Sequence, residues 1–327
     1  MTINTVMKSL AGIALAALAT TTALAQSDFP NRPIRMFVPF AAGGGIDITA
    51  RIAAQSLSDV LGQQVVVQNQ GGAGGALATD AVAKADPDGY TLLYHSTTGI
   101  VHAAVTPKLP YDWIRDLAPI SIATRFAPVM VTSPTLPTRD LKGFIALLKA
   151  NPGKFSYASS GAGTALHLGV ELFKQKAGVD ILHVPYRGTA AAMPDLLSGR
   201  IAMMLDGVPV QTPNIRAGTL FAVAAVTTRQ RSPSIPDVPT MIESGLDVEL
   251  PFWTAIYAPI KTPKPIIDRL NSAIAKAMKD QGVTSRLADV GTEVVGSTVA
   301  ETDAFTRQQL TLYRGIVERD KSLLDGQ

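Results

Sequence analysis

Apolar residues recur along the chain in two alternating patterns, short continuous runs and longer stretches at helical spacing. Residues 34–38 form a run of the first kind, which predicts a β-strand. Residues 47–61 place Ile48, Ile52 and Leu57 on one helical face, and Gly62 ends this predicted helix as a C′ glycine. The alternation continues with a strand, a helix, a turn and a strand at residues 65–68, 76–83, 86–89 and 91–94.

The second half of the chain repeats this rhythm, although no repeat is visible residue by residue. The patterns predict strands at residues 154–158, 181–185, 201–205 and 220–226, and helices at residues 164–177 and 189–198. Two long amphipathic helices follow at residues 265–279 and 300–324.

The strand–helix–strand rhythm of both halves predicts two mostly parallel sheets covered by helices. Apolar segments at residues 120–132 and 248–258 separate these blocks, and the simplest topology crosses between two lobes through them. The first lobe is then residues 26–124 plus 253–327, and the second is residues 125–252. We therefore predict an α/β protein with two crossover strands and a cleft that closes by hinge motion.

Residues 1–25 have the order of a secretory signal peptide. Lys8 precedes an apolar run over residues 10–19, and Ala23-Leu24-Ala25 forms an A-x-A cleavage site. The run is too short to span a bilayer comfortably, which favours a cleaved leader over a membrane anchor. We expect cleavage between Ala25 and Gln26 and export to the periplasm.

Composition narrows the class of protein further. Hydrophobic residues make up 46% and charged residues 17% of the 327 residues, which is ample apolar material for packed cores. The formal net charge is +3 and the basic residues are scattered singly, so no nucleic-acid partner is expected. The absence of cysteine excludes a disulfide framework, thiolate catalysis and cysteine-ligated metal.

A glycine-rich segment, the first glycine loop (residues 40–47), joins the first predicted strand to the first predicted helix. It runs from Phe40 through Gly43, Gly44 and Gly45 to Asp47. Glycines let a ligand approach the backbone closely, and a helix N-terminus offers unpaired N–H groups that suit a carboxylate or a phosphate. Asp47 is expected to cap the helix. A plain tight turn is the alternative, but three consecutive glycines exceed what a turn needs.

The second glycine loop (residues 159–164) occupies the equivalent strand-to-helix position in the second half. It contains Ser160, Gly163 and Thr164, whose hydroxyls and amides predict a second anion-binding nest that faces the first. His167 lies three residues into the following helix, where a structural role and a ligand role are both open.

Two further predicted strands end in polar residues. Ser96 and Thr97 begin a polar segment at residues 96–99, which we expect to be a loop at the sheet edge where open α/β sheets bind ligands. Asp206 ends a strand of the second lobe. Asp206 either accepts a hydrogen bond from a ligand or caps a helix that begins near Pro209.

Motifs for enzymes and cofactors are missing from the sequence. The glycines at residues 71–75 and 161–163 lack the G-x-G-x-x-G/A spacing of a dinucleotide site, and no P-loop occurs, so residues 71–75 are expected to be structural. No G-x-S-x-G elbow is present. His95 and His102 are spaced to share a helical face, but no carboxylate accompanies them. We predict no catalytic residues, no metal and no cofactor.

A series of motifs follows in order along the chain. They are P-N-R-P-I at residues 30–34, P-F-A-A-G-G-G-I-D-I-T-A-R at 39–51, N-Q-G-G-A-G-G at 69–75, D-P-D-G-Y-T-L at 86–92, Y-A-S-S-G-A-G-T at 157–164, H-V-P-Y-R-G at 183–188, P-D-V-P-T at 236–240, and Trp253. With these motifs the chain resembles the Bug-type extracytoplasmic solute receptors, the binding component of tripartite tricarboxylate transporters, over essentially all of its length after the leader.

The resemblance implies a two-lobed periplasmic-binding-protein fold of the Venus flytrap kind, type II. It implies a ligand that is a di- or tricarboxylate, an acidic amino acid or an aromatic acid, delivered to membrane permease subunits. The two glycine loops would hold one ligand carboxylate, partly through water, with Asp206 at the position of a family acid that faces the cleft. His95 departs from the small residues expected there, and Phe40 and His95 are candidates to shape the pocket.

We therefore expect a monomeric periplasmic receptor that captures a small organic carboxylate and performs no reaction on it. A ligand-sensing subunit without a transport role is one alternative, and it would use the same cleft. A secreted hydrolase or isomerase is another, but it needs an acid–base or nucleophile set beside the glycine loops. A receptor for phosphate esters is the third, because glycine loops suit phosphate as well.

Overall fold

The computed structural model describes residues 29–106, 108–225, 231–250 and 252–319. The predicted signal peptide and its cleavage site between Ala25 and Gln26 lie outside the described residues, as do residue 226 of one predicted strand and residues 320–324 of the last predicted helix. Among the described helices, none combines the length and the apolar character needed to cross a membrane.

Strands and helices alternate through the first part of the chain, because each short apolar run is followed by an amphipathic stretch. The elements are β1 (Ile34–Val38), α1 (Gly45–Leu61), β2 (Val65–Asn69), α2 (Ala76–Ala83), β3 (Thr91–Ser96), α3 (Thr97–Val105), α4 (Trp113–Asp116), β4 (Leu117–Phe126) and β5 (Pro128–Thr132). Gly62 follows α1 in the left-handed conformation with φ 70°, as its position predicts.

The second part continues the alternation and ends in a largely helical segment. Its elements are α5 (Leu141–Ala150), β6 (Ser156–Ser159), α6 (Ala165–Ala177), β7 (Leu182–Pro185), α7 (Met193–Ser198), β8 (Met203–Gly207), α8 (Val208–Arg216), β9 (Phe221–Ala225), β10 (Phe252–Pro259), α9 (Lys264–Met278), α10 (Gln281–Asp289), β11 (Thr292–Val294) and α11 (Val299–Arg319).

The strands form two separate sheets. The first sheet has the order β11-β4-β10-β3-β1-β2, and the second has the order β7-β6-β8-β5-β9. β1 pairs in parallel with β2 and β3, and β6 pairs in parallel with β7 and β8. β10 and β5 run antiparallel to their neighbours. The predicted α/β architecture with a sheet in each of two lobes is therefore confirmed. The prediction that both sheets are mostly parallel is wrong, because the crossover strands and β11 pair antiparallel and make both sheets mixed.

The chain passes between the sheets where the two predicted apolar crossover segments lie. β4 ends in the first sheet at Phe126, β5 begins in the second at Pro128, and β10 returns to the first sheet. One buried apolar cluster runs through this junction by way of Phe126, Met130 and Phe252, which ties the two lobes together. Separate clusters lie under α1 and α9 and on the other face of the second sheet. The lobe boundaries at residues 124/125 and 252/253 stay a prediction.

The sequence patterns do not predict α3, α5 or α10, and α3 corrects the polar loop expected at residues 96–99. Threonine and glycine are poor helix formers, so their run is typical of a loop. In the structure Ile100, Val101 and Val105 are buried on the inner face of α3, and this packing outweighs the low propensity of the first turn. The predicted helix at residues 189–198 likewise begins as a 3₁₀ turn, Thr189–Ala192, before α7.

Candidate functional site

A cavity lies between the two sheets, where the carboxyl ends of their strands face each other. It has a volume of about 430 Å³, which includes space open to solvent. Five of the residues predicted as ligand contacts line it, namely Phe40, Gly44, Gly45, Ser160 and Asp206. The remaining lining residues, which sequence reasoning did not single out, are Ala41, Ile46, Thr98, Phe126, Leu166, Gly188, Thr189, Gly207 and Phe252.

The first glycine loop is held in place by the buried carboxylate of Asp47. This carboxylate accepts hydrogen bonds from the Gly43 amide at 2.9 Å, from Arg51 Nε at 3.0 Å and from Asn69 Nδ2 at 2.9 Å. Burial alone would raise the pKa of Asp47, but these hydrogen bonds hold it below its usual value. Asp47 therefore stabilises the loop, and the Gly43 amide already donates its hydrogen bond to Asp47.

The predicted capping role of Asp47 is wrong, because the N-cap of α1 is Gly44, which carries no side chain. Asp47 is the third residue of the helix and reaches back to the Gly43 amide instead. The first amides of α1, at Gly45 and Ile46, have no partner within the helix and lie beside the cavity. They are available to an anion.

Strand β3 and helix α3 contribute a third wall, but through a different residue from those predicted. Ser96 caps α3 and accepts from the Thr98 amide at 3.3 Å. Thr97 Oγ1 accepts from the Trp253 amide at 2.9 Å, which fastens α3 to β10. The Thr98 hydroxyl lines the cavity, is fully buried and has no hydrogen-bond partner. A buried unpaired hydroxyl is costly, which makes Thr98 Oγ1 a candidate hydrogen-bond donor to a ligand atom.

The second glycine loop is held by neutral hydroxyl groups. Thr164 caps α6, where its hydroxyl donates to Gly161 O at 2.7 Å and accepts from the His167 amide at 3.3 Å. Ser160 Oγ donates to Thr164 Oγ1 at 3.2 Å. Thr164 is fully buried, whereas Ser160 is 8% exposed and lines the cavity. Of the predicted contacts in this loop, Ser160 is the one that lines the cavity.

His167 lies behind the second glycine loop, with only 1% of its surface exposed. Its Nδ1 accepts from the Gly163 amide at 3.3 Å, and its ring stacks on His183 with ring centres 4.1 Å apart. Burial, with a smaller effect of Lys174, lowers the pKa of His167 to about 4. His167 does not line the cavity and its neutral ring accepts from Gly163, so of its two open roles the geometry favours the structural one.

A cluster of polar side chains surrounds this histidine pair. His183 Nε2 lies 2.6 Å from Ser159 Oγ, and the same Oγ accepts from the Gly161 amide at 3.1 Å. Burial lowers the pKa of His183 to about 4, with help from His167. Glu171 accepts from the Tyr157 hydroxyl at 2.5 Å and pairs with Lys174 at 2.9 Å. Both histidines therefore support the loop in their neutral forms.

Asp206 lies at the end of β8 and lines the cavity with 2% of its surface exposed. It does not cap α8, whose N-cap is Gly207. Its Oδ2 accepts from Gln211 Nε2 at 2.7 Å, and Thr189 and the Gly207 amide also bond to it. Burial raises the pKa of Asp206 to about 6 in spite of these hydrogen bonds.

The electrostatic character of the cavity comes from helix ends. Helices α1, α3, α6 and α8 all begin at its wall, and each N-terminus carries a partial positive charge. The lining residues include no lysine, arginine or histidine, and Asp206 is the one ionisable group among them. The site therefore suits one small anion held by amides and hydroxyls.

An outer pocket borders the cavity at Phe40 and Ser160, and occupies about 920 Å³ including open solvent. Residues 72–75 line it together with His102 and Arg187. The expectation that residues 71–75 are structural stays a prediction, and their place where the lobes meet is compatible with it.

Backbone faces backbone at this junction, which we call the seam. A methyl group placed on Gly161 would lie 3.9 Å from Gly74 Cα, and one placed on Gly188 would lie 3.5 Å from the Ala41 nitrogen. Larger residues would hold the lobes apart here.

The two histidines of the first lobe do not share a helical face as their spacing suggested. His95 lies in β3 and His102 in α3, and both pack against the turn at residues 74–75. His95 lies behind Phe40, with ring centres 5.8 Å apart, and burial lowers its pKa to about 3. Among the described residues, no group of three or more potential ligands is arranged to hold a metal ion.

Comparison with known proteins gives a consistent result. Residues 49–321 match the model of the Tripartite tricarboxylate transporter family receptor. Protein BugT of Bordetella pertussis is 38% identical over 310 residues, which cover 94% of each protein.

Solved structures agree with this match and confirm the predicted two-lobed periplasmic-binding-protein fold. A periplasmic transporter is 40% identical with a TM-score of 0.88, over 91% of this chain and 100% of that one. The periplasmic binding protein BugD is 34% identical with a TM-score of 0.85, over 89% and 98%. MatC from Rhodopseudomonas palustris, with bound malate, is 31% identical with a TM-score of 0.84, over 88% and 100%.

Proposed function

The chain belongs to the tripartite tricarboxylate transporter receptor family, and from that premise we propose that it captures a small organic carboxylate in the cavity without transforming it. The observation that carries the proposal is the convergence of four helix N-termini on a cavity that contains an unpaired buried hydroxyl, that of Thr98. MatC, a relative of the same fold, holds malate.

The ligand carboxylate would accept hydrogen bonds from the free amides of α1, from the Thr98 hydroxyl and from the Ser160 hydroxyl, which would turn from Thr164 Oγ1 to the ligand. A carboxylate offers about four acceptor sites, so it can satisfy several donors at once. Charge-assisted hydrogen bonds of this kind are about twice as strong as neutral ones. Phe40 and Asp206 would bound the rest of the ligand.

The other predicted site residues would support the binding loops without contacting the ligand directly. Gly43 and Asp47 hold the first glycine loop, Ser96 and Thr97 orient α3, and Gly163, Thr164 and His167 hold the second glycine loop. Preorganisation of this kind lowers the entropy lost on binding.

The biological setting of the proposal is an exported monomeric receptor of the periplasm that presents its closed form to membrane permease subunits. BugD, a relative at 34% identity, is a periplasmic binding protein. The lobes would be residues 26–124 plus 253–327 and residues 125–252, with closure around the cavity. The absence of an acid–base pair among the lining residues supports binding without a reaction.

A thermal-shift screen of the mature protein tests this function. The panel contains malate, citrate, adipate, benzoate, acidic amino acids and short monocarboxylates, with sugars and phosphate esters as controls. A ligand at about 100 times its dissociation constant adds about 2.7 kcal/mol of stability, which moves the melting temperature by several degrees. Stabilisation by phosphate esters alone would overturn the proposal.

Thr98→Val provides a sharper test of the same site. Valine keeps the shape of threonine but lacks the unpaired hydroxyl, so the stability of the free protein should stay the same or rise while carboxylate affinity falls by about tenfold. Thr262→Val is the matched control, because Thr262 Oγ1 is also buried and unpaired but follows β10 at the end opposite to Phe252, away from the cavity. Titration calorimetry that finds equal affinity for both variants would contradict the assignment.

A further inference from the structure

The walls of the cavity are mainly apolar between its few amides and hydroxyls. Phe40, Ile46, Leu166 and the pair Phe126–Phe252, whose ring centres are 4.8 Å apart, supply this surface. An apolar wall favours ligand atoms that bring no charge with them, because a buried charge needs a partner.

Asp206 lines the same cavity as these apolar side chains, so the body of a bound ligand would meet it there. No cation accompanies it, since its partners are Gln211, the Thr189 hydroxyl and the Gly207 amide, and none of the other lining residues ionises. An ionised Asp206 therefore gives this part of the cavity an uncompensated negative charge.

We propose that Asp206 makes this receptor selective for carboxylates whose remaining body is uncharged, by excluding a second ligand carboxylate from the cavity. The inference rests on the proposed function and narrows its ligand class. A second carboxylate would lose its hydration and face a like charge, with no lysine, arginine or histidine among the lining residues to offset either cost.

A ligand ammonium group would be attracted to Asp206, but the loss of its hydration in the cavity can exceed that attraction. A carboxylate has about four acceptor sites, and three hydrogen bonds already reach Asp206 from within the second lobe. An ammonium group carries three donors, and the apolar walls offer few other acceptors. A carboxylate with an uncharged body should therefore also bind more tightly than an amino acid zwitterion.

The outer pocket limits the inference to short ligands. Arg187 and His102 line that pocket, and Arg187 is exposed at its mouth. A long diacid that passes Phe40 and Ser160 would bring its far carboxylate towards these groups. A decisive test needs acids short enough to keep both ends inside the cavity.

The test compares pentanoate, glutarate and 5-aminopentanoate, which share one chain length, and benzoate with phthalate. Titration calorimetry at pH 8 should find pentanoate bound at least about tenfold more tightly than glutarate and 5-aminopentanoate, and benzoate more tightly than phthalate by a similar factor. Tighter binding of glutarate or 5-aminopentanoate would overturn the inference and leave the proposed function intact. Failure of every acid, malate and citrate included, would instead overturn the proposed function.

Asp206→Asn identifies the residue responsible. The substitution removes the charge and keeps the size, so the preference for pentanoate over glutarate should shrink by about tenfold. Asp140→Asn, at the N-cap of α5 in the same lobe, should leave the preference unchanged. An unchanged preference in Asp206→Asn would show that Asp206 does not exclude the second carboxylate.

A further test uses the wild-type protein and so does not depend on the folding of a variant. Lowering the pH from 8 to 6 protonates about half of the Asp206 carboxyls, whose pKa is about 6. Ligand carboxylates have a pKa nearer about 4 and remain largely ionised. Because the protonated half binds glutarate without repulsion, a preference of about tenfold at pH 8 should fall to about twofold at pH 6. A preference that is constant or rises would count against Asp206.

Discussion

The two glycine loops occupy equivalent places in the two lobes and are stabilised in opposite ways. The first is held by a charge, because the carboxylate of Asp47 gathers its hydrogen bonds. The second is held by neutral groups, the hydroxyl of Thr164 and the ring of His167. Similar sequences at the end of a strand thus produce similar backbones from unlike supports.

The difference teaches that the loops should fail under different conditions. A lowered carboxyl pKa contributes stability that is complete above the ordinary value of 3.8 and is lost as pH falls below it. A lowered histidine pKa contributes stability that is complete above 6.5 and is lost as pH falls from there to about 4. Mild acid should therefore weaken the second loop while the first stays intact.

The largest expected effect belongs to Asp47→Ala. Removal of this carboxylate leaves the Gly43 amide without its acceptor and takes one hydrogen bond each from Asn69 and Arg51, so we expect a loss of about 3 kcal/mol in the free energy of unfolding. Ligand affinity should fall with it, because the loop loses its shape. Urea unfolding and calorimetry on the same variant measure both quantities.

Asp140→Ala is the control for this prediction. Asp140 also accepts from a backbone amide, that of Gly143 at 2.7 Å, but it caps α5 far from the cavity. Its loss should cost about 1 kcal/mol and leave affinity unchanged. Equal effects of the two variants on stability would show that Asp47 supports its loop no more strongly than Asp140 caps α5.

A smaller effect is expected from acid acting on His167. A shift of its pKa from 6.5 to about 4 means that stability should fall by about 2 kcal/mol between pH 7.5 and pH 5 through this residue alone. His167→Gln cannot titrate but can still accept from the Gly163 amide, so its stability should depend less on pH by that amount. The comparison of the two proteins isolates His167 from the other buried histidines.

Urea titrations at the two pH values check this prediction. Parallel losses of stability in the wild type and in His167→Gln would mean that the neutral ring does not support the second glycine loop. A loss in both that begins only below pH 4 would assign the acid sensitivity to carboxylates such as Asp47 instead.

The smallest effect is expected from Thr164→Ala. Loss of a threonine N-cap costs about 1 kcal/mol, and affinity should fall only a few-fold because Thr164 is buried behind Ser160. Thr164→Ser keeps the hydroxyl and serves as the matched control. A loss of affinity as large as that of Asp47→Ala would show that the neutral loop contacts the ligand through Thr164 itself.

Much of the fold follows from the sequence because strands and helices here have distinct periods. β1 and α2 have the predicted bounds, since each apolar run is closed by glycine or a turn. The helix α3 does not follow, because its first turn is built from threonine and glycine and depends on burial of Ile100 and Val101.

The site can be predicted only in part from the sequence, for a related reason. Glycine loops at strand ends locate it, and five predicted residues do line the cavity. The sequence alone does not tell which of three adjacent polar residues, Ser96, Thr97 or Thr98, faces inward, because that depends on the start of α3. Nor does it separate His167 as a support from His167 as a contact, since both require the same position on α6.

At the seam the lobes meet through bare backbone, Gly74 against Gly161 and Gly188 against Ala41. Such a contact buries little apolar surface, which is worth about 25 cal/mol per Å². The seam therefore adds little to the stability of a closed form, and a ligand that bound that form about 10⁴-fold better would move the closed-to-open ratio from 1:99 to 99:1. Interlocking side chains at the seam would stabilise the closed form without a ligand. A partner that recognises the closed form could then not distinguish the free receptor from the ligand-bound one.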